Sequence, residues 1–487
     1  MSLEDKDVIR ARGCVKTENL LELLGEGAYG AVYKIVEGNK YYALKTYDPS
    51  RALSTDNLIE IDILVRAKHP NVLGAHSVSL KECGICLTLP IASSDLDKWM
   101  RANPVDQRYI DRRVKIFYES MCGVRYLHLN HIIHRDIKPP NVLMFGDVPK
   151  IADFGLASLF PHDRVRNTGD VVTWPWRAPE LLAGATTYTS AVDIWAMGIM
   201  FYQMLTGREL INGRASNPPK DEPYADDLLL EISKKIGPLT PEQQNIVPPA
   251  KRHLAGTEHT LLFSLVPERY VSLLMRMLER DPKRRASAEE VLTSPPFVIY
   301  GCQVSKMEVL PFPIAFSKVY AQTRQQLLTT VKSVIDRYGY GTETFFLAAD
   351  ILDRYATVKP AEASYLTHAL VSVYLAAGVY SMPILGLRKE LEAYVNDLRE
   401  KGAVYLDVLG YTPEQKFSKV LCTAIQALNF RIFRPTIDLH FPGVDKHDLQ
   451  ECVINGQTPD SITDCAEEKT GKKRVAKGRS EAPKRRR

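Results

Sequence analysis

A chain of 487 residues with 45% hydrophobic and 25% charged residues has the composition of an ordinary globular protein and is too long for one core. Its net charge of +5 is concentrated at one end: residues 469–487 carry ten Lys or Arg against one acid, Glu481, so the other 468 residues sum to −4. A basic tail on a near-neutral body excludes a protein that grips nucleic acid over its whole surface and leaves only weak binding through the tail.

Residues 19–95 alternate in short runs broken by Gly, which predicts strands, with one helical patch near 55–67. Gly25-Glu26-Gly27-Ala28-Tyr29-Gly30-Ala31-Val32 is a Gly-x-Gly-x-x-Gly-x-Val run, whose backbone can approach phosphates and offer N–H donors. Lys45, on the expected third strand, can meet phosphate oxygens as a point charge and needs a carboxylate to hold it. Glu60 on the following helix is the candidate, although taken singly it reads as a solvated helix acid. Cys83-Gly84-Ile85-Cys86 reads as a turn between two strands rather than a metal knuckle, with the eight cysteines expected reduced.

From 96 to 299 the period is mostly helical, and Ser287-Ala288-Glu289-Glu290 predicts a capping box on the last helix. Inside this stretch His134-Arg135-Asp136-Ile137-Lys138-Pro139-Pro140-Asn141 is followed twelve residues after Asn141 by Asp153-Phe154-Gly155. Asp136 can accept a hydroxyl proton and Lys138 can neutralise charge on a moving phosphoryl group. Asn141 and Asp153 offer oxygens to Mg²⁺; Asp153 alone could be a turn carboxylate, but Phe154-Gly155 directly after it argues against that.

With these motifs in this order, the segment 19–299 resembles a eukaryotic-type protein kinase, through Ala178-Pro179-Glu180, Asp193-Ile194-Trp195 and an Arg285 placed to pair with Glu180 as well. The resemblance implies an α+β, two-lobed fold with an antiparallel β N-lobe and a helical C-lobe. It implies ATP and Mg²⁺ as cofactors, with ATP contacts from Leu24 through Tyr29, Gly30, Val32, Lys45, Glu60, Leu89 at the gatekeeper, and Pro90 and Ala92 at the hinge. Lys138 with Thr173 resembles the Ser/Thr-specific branch, and the segment from Thr168 to Glu180 resembles that of cyclin-dependent kinases. Arg177 before Ala-Pro-Glu then implies Ser/Thr-Pro protein substrates, and Thr168 is the implied activating phosphosite. Of the three arginines that grip such a phosphate in the family, only Arg135 is kept; Ile59 and Ser158 stand at the other two positions, with Arg164 or Arg166 as the alternative donors, and in the inhibitory Thr-Tyr pair Ala28 replaces the Thr, leaving Tyr29. A dead kinase usually loses Lys45, Asp136 or Asp153, and all three are present.

Periodicity lapses over 300–318, a linker with Pro311 and Pro313, and five helical segments fill 319–440. The third of them lies in 363–387, a stretch without Asp, Glu, Lys or Arg; its His368, Gly378 and Pro383 favour a buried helix over a membrane span, and no membrane partner is expected. The start of the chain shows no leader pattern, and residues 1–18 read as an N-terminal extension. Glu343 through Tyr355 resembles the second helix of a cyclin box, with Arg324 and Asp353 at its structural ion pair, so the second half resembles an all-α, five-helix cyclin-like domain. An unrelated helical bundle is the alternative. Gly378 and Leu421 replace the Lys and Glu with which cyclins dock. The expected partner of the kinase is therefore its own cyclin-like domain, with a separate cyclin or a catalytically dead scaffold as competing readings. The polar, then basic end, 441–487, is expected to be disordered, and Lys472-Lys473-Arg474 with Lys484 to Arg487 resembles a signal for a nuclear-import receptor, which implies an intracellular protein of the nucleus with the cytoplasm as a second location, while the cyclin-dependent resemblance implies a cell-cycle enzyme.

Overall fold

A computed structural model describes residues 19–27, 30–47, 54–81, 84–106, 109–159, 174–185, 187–212, 225–247, 249, 252, 264–300, 318–358, 365–379, 424, 450 and 453. They fall into two compact units, one of 19–300 with 377–379 and 424, the other of 318–376 with 450 and 453.

The first unit begins with the strands the alternation predicts. β1 (Leu20–Gly27), β2 (Gly30–Glu37), β3 (Lys40–Tyr47), β4 (Ser77–Lys81) and β5 (Gly84–Pro90) form one antiparallel sheet in the order β1-β2-β3-β5-β4. One sheet face buries Leu20, Ala31, Tyr33, Ile35, Leu44 and Cys86. Gly30 at φ 146° is required by packing, since a Cβ there would stand 1.9 Å from the Thr46 carbonyl oxygen. As expected, two strands meet at the Cys83–Cys86 stretch, Lys81 of β4 pairing with Gly84, but Gly84, Ile85 and Cys86 already lie in β5 rather than in the turn. The expectation of reduced thiols fails at Cys86, which is disulfide-bonded.

Between β3 and β4 lies α1 (Thr55–Arg66), opened by the Ser54 hydroxyl, which accepts from the Asn57 amide at 3.4 Å. The rest of the unit is mainly helical, as its period predicts. β6 (Ser94–Asp95) leads into α2 (Leu96–Ala102) and α3 (Ile110–Leu129), and the short strands make three pairings: β6 with β8 (Val142–Phe145), β8 with β9 (Val148–Ile151), and β7 (Ile132–Ile133) with β10 (Ser158–Leu159). Then come α4 (Pro179–Leu182), α5 (Ala191–Thr206), α6 (Ala225–Lys235), α7 (Pro241–Ile246), α8 (Glu268–Met277) and α9 (Ala288–Leu292). The Ser287–Glu290 capping box forms as expected, with the Ser287 amide donating to Glu290 at 2.8 Å.

Phe117 of α3 stacks on Phe201 of α5 at 3.9 Å, and Phe297 closes over both. Buried Arg113 ties this core to its helix ends by donating to the carbonyls of Met204, Met100 and Asn103. Those carbonyls lie in or just beyond the last turns of α5 and α2, where backbone acceptors lack helical partners.

The second unit contains α10 (Lys318–Arg337), α11 (Thr342–Val358) and most of α12 (Tyr365–Val379). These match the first three expected helical segments; the fourth lies outside the described residues, as does the fifth apart from Ala424, which is helical and buried as expected. Leu327, Val331, Val334 and Ile335 are buried, as the period of α10 requires. Arg324 donates to both Asp353 oxygens at 2.8 and 2.7 Å and to the Val453 carbonyl at 2.8 Å. Gln450 and Val453 are helical and Gln450 is buried, which departs from the disorder expected after 441. The buried guanidinium supplies the reason, since it holds that carbonyl as a third acceptor. His368 of α12 stacks on Tyr355 of α11 at 4.0 Å. Among the described residues no helix is long and apolar enough to cross a membrane.

Candidate active site

Two clusters stand where the sequence places its charges. In the small lobe, β2–β3 pairing sets Val32 opposite Lys45, and β3–β5 pairing sets Ala43 opposite Leu89 and Tyr42 opposite Pro90. Ala92 follows directly. Leu24, Gly25 and Glu26 lie exposed on β1, with Gly25 across from Val32. Ala28 and Tyr29 fall outside the described residues, as do Thr168 and Thr173. The Lys45 Nζ donates to Glu60 Oε1 at 2.5 Å, and Glu60 is 2% exposed, which removes the reading of a solvated helix acid.

The second cluster is built from the loop after β7. Asp136 is buried; Lys138 Nζ reaches its Oδ2 at 2.7 Å, and Asn141 Nδ2 donates to the same oxygen and to the Asp136 carbonyl, each at 2.8 Å. The loop is held from below by Asp193 near the start of α5. Its carboxylate accepts the His134 and Arg135 amides, each at 2.9 Å, and meets His128 Nε2 at 2.9 Å. Burial works to raise the Asp193 pKa, but His128, His134 and the His134 amide outweigh it and hold the carboxyl below its usual range.

The β8–β9 register, Val142 opposite Ile151, brings Asn141 beside Ala152, the residue before Asp153, and the Ala152 amide donates to the Asn141 carbonyl at 2.9 Å. Phe154 is buried against the His134 ring, while Asp153 is exposed. Only three described non-glycine residues have positive φ, and two of them, Arg135 (68°) and Asp153 (63°), are here; such backbone persists where surrounding contacts over-determine it. The Asn141 amide nitrogen is committed to Asp136, so the side-chain oxygen is the atom it can offer a metal together with the Asp153 carboxylate. Among the described residues no group of three or more His, Cys, Asp or Glu could hold a metal. Two oxygen ligands still fit Mg²⁺, which binds through one or two carboxylates plus phosphates and water.

Arg135 is engaged within the fold: it donates to the Leu156 carbonyl at 2.5 Å, the Ala157 carbonyl at 3.3 Å and the Tyr188 hydroxyl at 2.9 Å. Ile59 is buried in the α1 face, and Ser158 pairs with Ile133. Arg285 grips Glu180 with two bonds at 2.7 and 2.8 Å, as its placement implies, and lies over Trp195 at 5.2 Å. Arg177, also buried, precedes α4. Sequence reasoning missed Tyr47, whose hydroxyl donates to Glu60 Oε2 at 3.1 Å, and Tyr188. Tyr47 was within reach, because it lies two residues after Lys45 on a strand and so shares its face.

The model of the protein kinase domain matches residues 19–297. The chain belongs to the protein kinase family. Among curated proteins, this kinase is 32% identical over 326 residues to "Probable cyclin-dependent kinase 8" of Dictyostelium discoideum, covering 61% of the chain and 82% of that protein. It is 33% identical over 305 residues to "Cyclin-dependent kinase E-1" of Arabidopsis thaliana, covering 56% of the chain and 64% of that relative. It is also 34% identical over 298 residues to "Mitogen-activated protein kinase 12" of Mus musculus, covering 57% of the chain and 77% of that protein. The kinase thus stands at similar distance from two named cyclin-dependent relatives and one named mitogen-activated one.

Proposed function

We propose that the chain is an ATP- and Mg²⁺-dependent protein Ser/Thr kinase of cyclin-dependent type, directed to Ser/Thr-Pro sites and activated in cis by its own helical unit. The observation that carries the reading is the Asp136 carboxylate, contacted by Lys138 at 2.7 Å and Asn141 at 2.8 Å, with Asp153 across the β8–β9 hairpin.

Mg·ATP, when bound, supplies the phosphoryl group and the metal charge. Lys45, held by Glu60, would bind the α/β-phosphates, and Asn141 and Asp153 would hold the metal. Asp136 takes the proton of the Ser or Thr hydroxyl as its oxygen bonds to phosphorus, ADP departing. Lys138 offsets the charge that develops. A dead scaffold is opposed by the intact and assembled Lys45, Asp136 and Asp153.

For control in cis, the support is the cyclin-box resemblance of α11 and the ion pair Arg324–Asp353, which joins α10 to α11. Tethering replaces affinity by effective concentration, in the ~mM range for short flexible linkers, so weak docking suffices. The basic tail is read as an import signal.

The test is phosphate transfer from labelled ATP to a Ser-Pro peptide by the full chain, with Asp136→Asn inactive and a Ser-Ala peptide poor. Undiminished activity in the 1–310 fragment would rule out activation in cis, and inactivity until a separate cyclin is added would replace it with activation in trans. Removing residues 469–487 from a fluorescent fusion tests the tail; unchanged nuclear signal sinks that reading.

A further inference from the structure

Glu60 carries two carboxylate oxygens, and the Lys45 ammonium occupies only one of them, at 2.5 Å. A carboxylate held at one oxygen still swings about its last torsion, which is broad and roughly two-fold. The other oxygen accepts the Tyr47 hydroxyl at 3.1 Å, and Tyr47 is 2% exposed. Strand alternation places Tyr47 on the Lys45 face of β3, and the Lys45 Nζ lies 5.2 Å from the Tyr47 ring centroid. One side chain therefore touches both members of the ion pair, its hydroxyl on the acid and its ring under the ammonium.

We propose that Tyr47 is a positioning residue that sets the Glu60 carboxylate, and through it the Lys45 ammonium, for nucleotide phosphates, holding α1 against β3 from within the small lobe. The proposal rests on the kinase reading only in naming Mg·ATP as the ligand. Its chemistry suits the place. Burial, then the Glu60 charge and hydrogen bond, then the Asp153 charge raise the Tyr47 pKa well above its ordinary value, so the phenol stays a neutral donor to Glu60.

The experiment is calorimetric titration of the full chain with Mg·ATP, for wild type, Tyr47→Phe, Glu60→Gln and the double variant. Tyr47→Phe keeps the ring and removes only the hydroxyl. Loss of one hydrogen bond to a charged group predicts Mg·ATP binding weaker by roughly tenfold or more. In the Glu60→Gln background the same change should cost under about twofold, because coupled residues are not additive. Thermal melting of the four proteins without nucleotide should show the same non-additivity. A Tyr47→Phe protein that binds Mg·ATP like wild type overturns the proposal, as does an equal loss in both backgrounds, which would mark Tyr47 as packing alone. Nucleotide binding and coupling as described, without transfer to any peptide, would sink the kinase reading and leave this one standing. No Mg·ATP binding by the wild-type chain would sink both.

Discussion

The catalytic loop and the Lys45 site hold their carboxylates in opposite ways. Asp136 is fixed by Lys138 and Asn141, neighbours in one short loop, and that loop is bolted by backbone amides to buried Asp193. Glu60 is fixed by side chains alone, Lys45 and Tyr47, from a strand that is fifteen and thirteen residues away. Bonds within a loop form once the loop forms. Bonds between α1 and β3 exist only while the helix lies against the sheet. The proton-accepting half of the site is thus part of the fold, whereas the phosphate-binding half depends on where one helix sits, which is where control of activity can act.

The comparison breaks most sharply at Asp136. Asp136→Asn should lower kcat by about 10²–10⁴-fold with the melting temperature kept, as a change to a proton acceptor that leaves the loop in place. Asp193→Asn attacks the bolt instead. Losing the charge on a buried acceptor of two amides and His128 should cost roughly 1.5–3 kcal/mol in stability and roughly tenfold or more in kcat. It should also flatten the acid limb: the folded Asp193 pKa is lowered, so its stabilisation is present above the unfolded carboxyl pKa and disappears as pH falls through the folded value. Urea titrations from pH 3 to 7 check this. Glu60→Gln should raise the KM for ATP about tenfold and leave the peptide KM alone, a split that separates the helix-borne half from the loop-borne one.

Much of this architecture is legible in the amino-acid sequence. The order of Gly-rich run, Lys45, catalytic loop and Asp153 names the parts, and alternation marks the strands of the small lobe. The Ser287–Glu290 box bounds the last helix of the first unit, because capping is a local chemistry written in four residues. What stays hidden are contacts between distant segments. Nothing local marks Asp193 as the acceptor for amides 59 and 58 residues away, or Tyr188 as a partner of Arg135, 53 residues away. Arg324 and Val453, 129 residues apart, likewise meet only in the folded unit, and polar composition after 441 points to disorder there.

Arg135 belongs to the loop-borne half, and its occupancy predicts a small effect where the family resemblance predicts a large one. A phosphate on the activation segment orders it by recruiting arginine donors. Here the Arg135 guanidinium already serves two carbonyls and the Tyr188 hydroxyl, and Ile59 and Ser158 offer no charge. Thr168→Ala should therefore change kcat by less than about twofold; a loss of tenfold or more would show that the phosphate displaces those bonds.

The smallest effect lies where the two halves join. The loop between α1 and β4 is pinned to β9, with Leu73 donating to the Ile151 carbonyl at 2.8 Å and the Ile151 amide donating to the Asn71 carbonyl at 2.9 Å. Asn71 is in turn placed by His69, whose Nδ1 accepts the Asn71 amide at 3.1 Å and must be unprotonated to do so. Burial, then Lys150 and Arg125, lower the His69 pKa from 6.5 to about 4, and its ring stacks on Tyr126 at 5.0 Å. The unfolded chain therefore binds a proton at His69 below pH 6.5 that the folded chain refuses until about pH 4. Stability from this residue is full above pH 6.5 and falls between 6.5 and 4, by an amount that solvent screening of a half-exposed ring keeps modest. His69→Asn should remove that slope while leaving kcat at pH 7.5 unchanged. An acid slope in the variant equal to that of wild type would show that the two halves of the site are joined without help from this imidazole.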